Sequence, residues 1–353
     1  MSVLTDEKLL ELFERHRNEL RLHCYRMLGS SHDADDVLQE TAVRAWRAKA
    51  SLDEPANVRA WLYRIATNVC FDELRQRKSR HLPQDVAPPM SESNLTVAPA
   101  QPEAWVEPCP AAWFSDVTPD PAARYELQEG VALAFVAALQ ELTPVQRATL
   151  LLRDVVGFSA EETSRALSLK LEAANSALFR ARGAVESKLA RKQAERSSFT
   201  SAAIESVLAR YLAAWNQLDV EAFVALLHDD VRTTMPPSPT WIAGRARNDA
   251  FYRPMFAAQR PGRFIALPTR ANAHGAFAFY RALADGEPHR LRAVQLVELR
   301  DNAVVSIDHF MLPELGPAFG LPQELDRAQV DGFGSAPPCI DLAADALREK
   351  RRS

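Results

Sequence analysis

Cysteine is scarce in this chain. Cys24, Cys70, Cys109 and Cys339 are scattered and no Cys-x-x-Cys pair occurs, which argues against a zinc site or a disulfide framework and fits a reducing compartment. A long apolar run is also missing, so no transmembrane span is expected. The first twenty residues, MSVLTDEKLLELFERHRNEL, read as an amphipathic helix rather than a secretory signal. A cytoplasmic location follows as the expectation. Net charge is only −4, so nothing global announces a nucleic-acid partner. Its distribution says more. Between Asn57 and Arg80 stand six basic residues (Arg59, Arg64, Arg75, Arg77, Lys78, Arg80) against two acids, Asp72 and Glu73; local patches of this kind, not whole-chain sums, hold phosphates.

At 353 residues, 47% hydrophobic and 25% charged, the chain is a globular protein of two or three domains. Residues 6 to 80 read as all-helical. A helix over Asp6 to Leu28 ends at Gly29. A second starts near Asp33, with Asp33, Asp35 and Asp36 complementing the positive end of its dipole. After a loop containing Pro55, a third carries VRAWLYRIATNVCFDELRQRKSR. One side of that helix mixes Trp61 with Arg64, Asn68, Asp72 and Arg75. Aromatics among arginines make a platform for unstacked bases and a track for phosphates. For Trp61 or Tyr63 taken alone the core reading is the favoured one, since such residues dominate cores.

Residues 83 to 124 contain nine prolines and six acids, with Arg124 as the one base. That composition predicts an extended linker. Trp105, Trp113 and Phe114 are unusual in a plain spacer and point to docking. A second helical domain follows, with ARYELQEGVALAFVAALQEL as one helix and Thr143-Pro144 opening the next in the N-cap and first-position pattern. Within it, FSAEETSRALSLKLEAANSALFRAR reads as two helices joined by a tight corner at Ser168 to Leu171. Ser159 and Glu162 form a capping box at the start of the first. The second leaves Glu172, Ala173, Asn175, Ser176, Arg180 and Arg182 free. Small hydrogen-bonding side chains at a helix start, with arginines beyond, suit a major groove. An ordinary amphipathic pair packed on its neighbours is the competing reading.

From about Ser197 helices give way to strand-forming runs: DVRTTM, RFIALPTRA, GAFAFYRALA, HRLRAVQLVELR and NAVVSIDHFML, with a helical RNDAFYRPMFA after the first. This predicts an α+β unit, a curved antiparallel sheet wrapped on helices, with Asp301-Asn302 as the last turn. A short helix DLAADALREKRR is expected in a partly loose tail.

In this order the pieces resemble the extracytoplasmic-function branch of the sigma-70 family. HCYRMLGSSHDADDVLQETAVRAWRA is similar to its second region, WLYRIATNVCFDELRQR to the part that melts and reads the minus-ten promoter element, and LTPVQRATLLLRDVVGFSAEETSRALSLKLEAANSALFRAR to its fourth region. The resemblance implies a multidomain protein: two all-α sigma domains, the second with a helix-turn-helix, joined by an acidic Pro-rich linker, plus a C-terminal α+β cone. Its boundaries would be 1–82, 83–124, 125–196, 197–315 and a tail 316–353. It implies two partners, core RNA polymerase (β′ clamp helices and β flap) and promoter DNA. Asp36, Gln39 and Glu40 would meet the polymerase, with Trp46 packing the domain. Arg59, Trp61, Tyr63, Arg64, Asn68 and Arg75 would face the opened minus-ten strand, and the loop from Leu52 to Val58 would pocket a flipped base. Glu172, Asn175, Ser176, Arg180 and Arg182 would lie on the minus-thirty-five duplex. The anionic linker would thread the path RNA takes, and its WVEPCP resembles a tryptophan-glutamate-proline motif of the sigma-G-like subgroup.

Residues 197 to 312 resemble the SnoaL-like members of the NTF2-like superfamily through WNQLDVEAFVALLHDDVRTTMPPSPTWIAGR. In this subgroup such an extension regulates the sigma factor. Trp215, Met235, Trp241 and His309 are candidates for a small-ligand pocket. An enzyme reading would need Asp230, Trp241, His274, Asp308 and His309 to converge; no catalytic residue, metal or cofactor is expected. The other reading is a one-component regulator, a ligand domain with a helix-turn-helix. The second-region block, which such a regulator does not need, argues against it.

Overall fold

The computed structural model describes residues 5–51, 58–77, 79–91, 96–101, 105–115, 132–193, 201–272, 274–326 and 328–330. The loop at 52–57, the first part (123–131) of the helix expected over 123–142 and the tail helix after 340 lie outside them. The chain divides into two compact units, Met1–His81 with Glu103–Ala194, and Leu82–Pro102 with Glu195–Ser353. The stretch expected as one linker is therefore shared between them. Among the described residues no helix is long and apolar enough to cross a membrane.

The first unit begins with α1 (Asp6–Leu28), α2 (Ser31–Ala48) and α3 (Val58–Gln76). Thr5 caps α1 by accepting from the Lys8 N–H, and Gly29 closes it at φ 71°, a left-handed conformation that glycine adopts without strain. Ser30 caps α2 two residues earlier than the acidic run suggested. α1, α2 and α3 pack on one another, burying Leu9, Phe13, Leu20, Cys24 and Met27 of α1, Leu38 and Ala45 of α2, and Leu62, Ala66 and Cys70 of α3. Within the linker, Pro83–Val86 (α4) and Ala112–Ser115 (α5) are single helical turns. Trp105 and Trp113 are buried, as docking required. Trp113 meets Tyr25 edge-on at 6.2 Å and lies under the Arg21 guanidinium at 4.9 Å. Glu107 accepts from Ser30 Oγ (2.7 Å) and the Ser31 N–H (3.1 Å), an acid at the positive end of α2, and pairs with Arg80 at 3.2 Å.

The rest of this unit is α6 (Leu133–Gln140), α7 (Pro144–Leu150) running into a π-helical turn Leu151–Val155, α8 (Ala160–Leu167) and α9 (Leu171–Gln193). Both predicted starts hold: Thr143 and Ser159 each form a full capping box. The corner between α8 and α9 turns on Ser168 at φ 55°.

Among its described residues the second unit has α10 (Ser201–Asn216), α11 (Val220–Ala225), α12 (Arg245–Ala257) and seven strands: β1 (Leu227–Thr234), β2 (Trp241–Ala243), β3 (Phe264–Ala271), β4 (His274–Arg281), β5 (His289–Arg300), β6 (Ala303–Phe310) and β7 (Glu324–Leu325). The order is β2-β1-β6-β5-β4-β3, with β7 on β5. The β3-β4-β5-β6 meander was legible as hairpins, and Asp301 and Asn302 turn the last one with φ of 50° and 60°. The pairing of β1 with β6 is parallel, which hairpin reasoning missed. Strand alternation puts Phe277, Phe279, Ala293, Val297 and Ile307 on the face that packs Tyr211 and Trp215 of α10 and Phe223, Tyr252 and Phe256 of α11 and α12.

Candidate nucleic-acid interface

Three exposed helical faces carry most of the residues singled out from sequence. On α2, Asp36, Gln39, Val43, Trp46 and Arg47 form an exposed stripe at helical spacing, with Glu40 beside it ion-paired to Arg44 at 2.8 Å. Asp36 has His32 one turn earlier at 3.7 Å. Trp46 is a correction: rather than packing the domain it is 55% exposed. Its indole N–H donates to Asp6 at 3.2 Å and Lys49 sits 5.6 Å from its ring. Val43 on this stripe was not singled out, although its spacing from Gln39 and Trp46 was visible.

On α3, spacings of three, four and seven bring Trp61, Arg64, Asn68 and Arg75 to one side. Arg64, Asn68 and Arg75 are exposed and Trp61 is half-buried. Arg75 pairs with Asp72 at 2.7 Å, and Asp72 also accepts from Arg44 at 2.7 Å; these partners hold its carboxyl below the usual carboxylate range. Arg77 and Arg80, part of the basic run, are drawn inward to the buried Asp33 at 2.5 and 2.6 Å. The positive track is thus narrower than the sequence suggested.

Arg59 and Tyr63 lie on a different side of α3. Tyr63 is 2% exposed, so it is a core residue in this arrangement and does not front a nucleic acid. Its hydroxyl donates to Glu19 at 3.2 Å and its ring meets His23 and Phe158 edge-on at 5.1 and 5.4 Å. Burial pushes the Tyr63 hydroxyl pKa up, and the Glu19 charge adds to it. Arg59 donates to Glu19 at 3.0 and 2.9 Å. Burial works against its charge, but the hydrogen bond and charge of Glu19 outweigh that and raise its pKa.

On α9, Ala174, Ala177, Leu178 and Ala181 face inward, leaving Glu172, Ala173, Asn175, Ser176, Arg180 and Arg182 exposed. The five residues expected on duplex DNA do share one open surface. Arg182 is held by Asp154 through two bonds of 2.8 and 2.6 Å, which raise its pKa. Sequence reasoning passed over Phe179, 81% exposed between Ser176 and Arg180. The signal was an apolar residue outside the buried stripe, and apolar side chains meet thymine methyls in a major groove.

In the second unit the pocket candidates part company. Trp215 lies at the centre of the aromatic core, with Phe256, Phe279 and Phe264 at 4.7, 5.0 and 5.5 Å. Met235 is buried after β1. The Trp241 indole, on the edge strand β2, donates to the Ala87 carbonyl at 2.7 Å, and Met90 N–H returns a bond of 2.9 Å to the Trp241 carbonyl. Ala98 N–H donates to Thr240 Oγ1 at 2.8 Å and Gln101 N–H to Pro237 O at 3.2 Å, so linker residues strap this edge. His309 accepts at Nδ1 from the Gln295 amide at 3.0 Å, and Gln295 accepts from Tyr211 at 2.7 Å. Burial lowers its pKa to about 4, so the ring is neutral at physiological pH. Asp308 bonds Thr234 at 2.7 Å and Ser306 at 2.9 Å on the opposite face of β6. The proposed acid–base set therefore does not converge: Asp230 is exposed on β1 and His274 begins β4.

Comparison with known proteins agrees with this layout. Residues 12–80 match Sigma-70 region 2, residues 132–185 match Sigma-70 region 4, and residues 208–307 match the SnoaL-like domain. The ECF RNA polymerase sigma factor SigG of Mycobacterium tuberculosis is 36% identical over 315 residues, covering 88% of this chain and 83% of that protein. SigJ of the same organism is 27% identical over 331 residues, 91% of this chain and 97% of that one. The crystal structure of SigJ shares the fold at a TM-score of 0.58 and 22% identity, covering 89% of this chain and all of that one. With two sigma regions in order, a SnoaL-like domain behind them and a relative of this identity along most of its length, the chain belongs to the extracytoplasmic-function RNA polymerase sigma factors.

Proposed function

We propose that the three exposed faces divide the work of a sigma factor that binds core polymerase and promoter DNA. The α2 stripe, through Asp36, Gln39 and Glu40, docks on the β′ clamp helices. Trp61, Arg64, Asn68 and Arg75 on α3 hold the opened minus-ten strand: guanidinium groups fix phosphates and the indole stacks on a base. The loop from Leu52 to Val58 receives a flipped base. Region 4 meets the β flap, and Glu172, Asn175, Ser176, Arg180 and Arg182 lie along the minus-thirty-five duplex. The observation that carries this reading is the pairing of an exposed polar start with exposed arginines on α9, while its small residues Ala174, Ala177 and Ala181 pack inward.

The SnoaL-like domain acts as a regulator without chemistry of its own. Support comes from its aromatic filling and from the linker residues Ala87, Met90, Ala98 and Gln101, which bond to Trp241, Thr240 and Pro237 at its β2 edge. Capture of the linker there is an alternative to its threading the RNA path, and the two states would exchange when polymerase binds. In vitro transcription with core enzyme tests the whole reading. Full-length protein should start transcripts at a specific promoter, and residues 1–196 alone should still bind core but with altered output. No transcript from core plus full-length protein would reject the sigma assignment; equal output from both forms would reject regulation by the fused domain.

A further inference from the structure

The exposed side of α9 has a crest. At about 100° per residue, Glu172, Ser176, Phe179 and Gly183 fall within about 60° of one another, opposite the buried Ala174, Ala177, Ala181 and Val185. Asn175 and Arg182 flank the crest on one side and Arg180 on the other. Of the exposed residues from Lys170 to Gly183, Lys170, Arg180 and Arg182 are basic and Glu172 alone is acidic.

Two of the four crest residues do not suit a helix that faces water. Phe179 is 81% exposed, against 62% for Leu10, the next most open large apolar side chain among the described residues. Single apolar side chains on a surface are ordinary. This one points directly away from the buried side of its own helix, so no repacking of the module can cover it. Gly183 is the other. It lies in the middle of a helix of 23 residues, where glycine weakens the helix relative to alanine because it has more backbone freedom to lose. A mid-helix glycine is explained where a neighbour would clash with a Cβ. Here a Cβ would meet nothing within 4 Å among the described residues, so packing within the chain does not account for it.

Both features fit a surface from outside that comes close to the backbone at Gly183 and offers an apolar group to Phe179. B-form DNA does both. Its major groove, about 12 Å wide, admits a helix, and the C5-methyl of thymine is the apolar group exposed there. A recognition helix reads bases with its first turns. Along the axis Ser176 and Phe179 are about 4.5 Å apart, and Gly183 lies about 6 Å further on. A helix reading bases at Ser176 and Phe179 therefore meets a sugar–phosphate strand one turn later.

We propose that Phe179 determines specificity in the minus-thirty-five contact. Its ring covers the C5-methyl of one thymine, and the missing Cβ of Gly183 lets the sugar–phosphate strand pass against the helix backbone, which sets how deep the ring enters. This rests on the placement of α9 on the minus-thirty-five duplex given above, and adds to it the base that is read and the residue that reads it.

The test uses full-length protein bound to core polymerase and a pool of promoter duplexes randomised at the minus-thirty-five positions. Wild type should select duplexes with a thymine at one fixed position. Resynthesis of the selected duplex with deoxyuridine there removes a single methyl group, and binding should weaken about fourfold, the worth of one buried methyl. Phe179→Ala should accept any base at that position and ignore the methyl, while Phe179→Leu, still apolar, should keep part of the preference. Gly183→Ala should raise the thermal midpoint of the free protein and yet weaken binding to the selected duplex severalfold, opposite signs that a purely structural glycine does not give. Phe179→Ala selecting the same thymine with the same methyl dependence overturns the proposal, as does Gly183→Ala binding like wild type. A wild type that selects no sequence at these positions rejects instead the placement of α9 on the duplex.

Discussion

Arg147→Met probes the buried contact that region 4 makes with the end of α1. The guanidinium is 2% exposed and donates to the Met27 carbonyl, to Gln140 Oε1 at 2.6 Å, to the Gln140 carbonyl at 3.0 Å and to the Leu142 carbonyl at 3.2 Å. At about 1.5 kcal/mol for a bond from a charged donor, the four amount to roughly 6 kcal/mol. Burial opposes them, taking the pKa from 12.5 to about 10. A shift of that size is roughly 3 kcal/mol against the charged form. Methionine fills similar space without that penalty, so the net loss should be about 3 kcal/mol, or roughly a hundredfold in the unfolding equilibrium of this unit; three of the four bonds lie within region 4 and the one to Met27 crosses to α1. Native-state hydrogen exchange read by mass spectrometry separates this from general instability. Amides of Leu20 to Leu28 should exchange about a hundredfold faster, while those of β4 and β5 in the other unit stay unchanged. A loss under about 1 kcal/mol would mean that desolvation cancels the bonds, and equal acceleration in the β-strands would mean that the effect is not local. Either result refutes the reasoning.

Other perturbations have equally definite outcomes. His23 bonds Thr67 at 2.9 Å, and burial lowers its pKa from 6.5 to about 3. The folded form is neutral while the unfolded chain takes up a proton below pH 6.5. Stability present above that pH is therefore lost as pH falls towards 3, by about 1.4 kcal/mol per unit; urea unfolding at pH 7, 6 and 5 should show this slope, flattened by one proton in His23→Gln. Asp36→Arg should leave the circular dichroism spectrum intact and weaken core binding tenfold or more; an unchanged affinity would move the polymerase site off α2. Trp215→Ala removes the ring at the centre of the C-terminal core and should cost about 3–5 kcal/mol in that unit. Calorimetry should then show one transition lowered and the other in place, whereas two shifted transitions would contradict independent cores.

Features governed by local chemistry were legible from residue order. Caps at Thr143 and Ser159, the stop at Gly29 and the turn at Asp301-Asn302 depend on a few neighbouring atoms, and all appear in the structure. Helical spacing likewise announced the exposed faces of α2, α3 and α9, because a period of 3.6 decides which side chains share a side before any packing occurs.

What spacing does not decide is which neighbour covers a given face. Tyr63 and Trp46 exchanged their expected places, the first buried against Glu19 and Phe158, the second left open beside Asp6. The partners of Tyr63 stand 44 and 95 positions away in the chain, so its burial is a tertiary outcome. The same holds for Arg77 and Arg80, which look like free positive charge until Asp33 is folded beside them, and for the parallel pairing of β1 with β6, which joins strands separated by five elements. By itself the sequence determined the order of modules, their family and the faces they present. The tertiary structure alone decided that region 4 meets the end of α1 through Arg147, because a buried cation acquires its role from carbonyls contributed by distant segments.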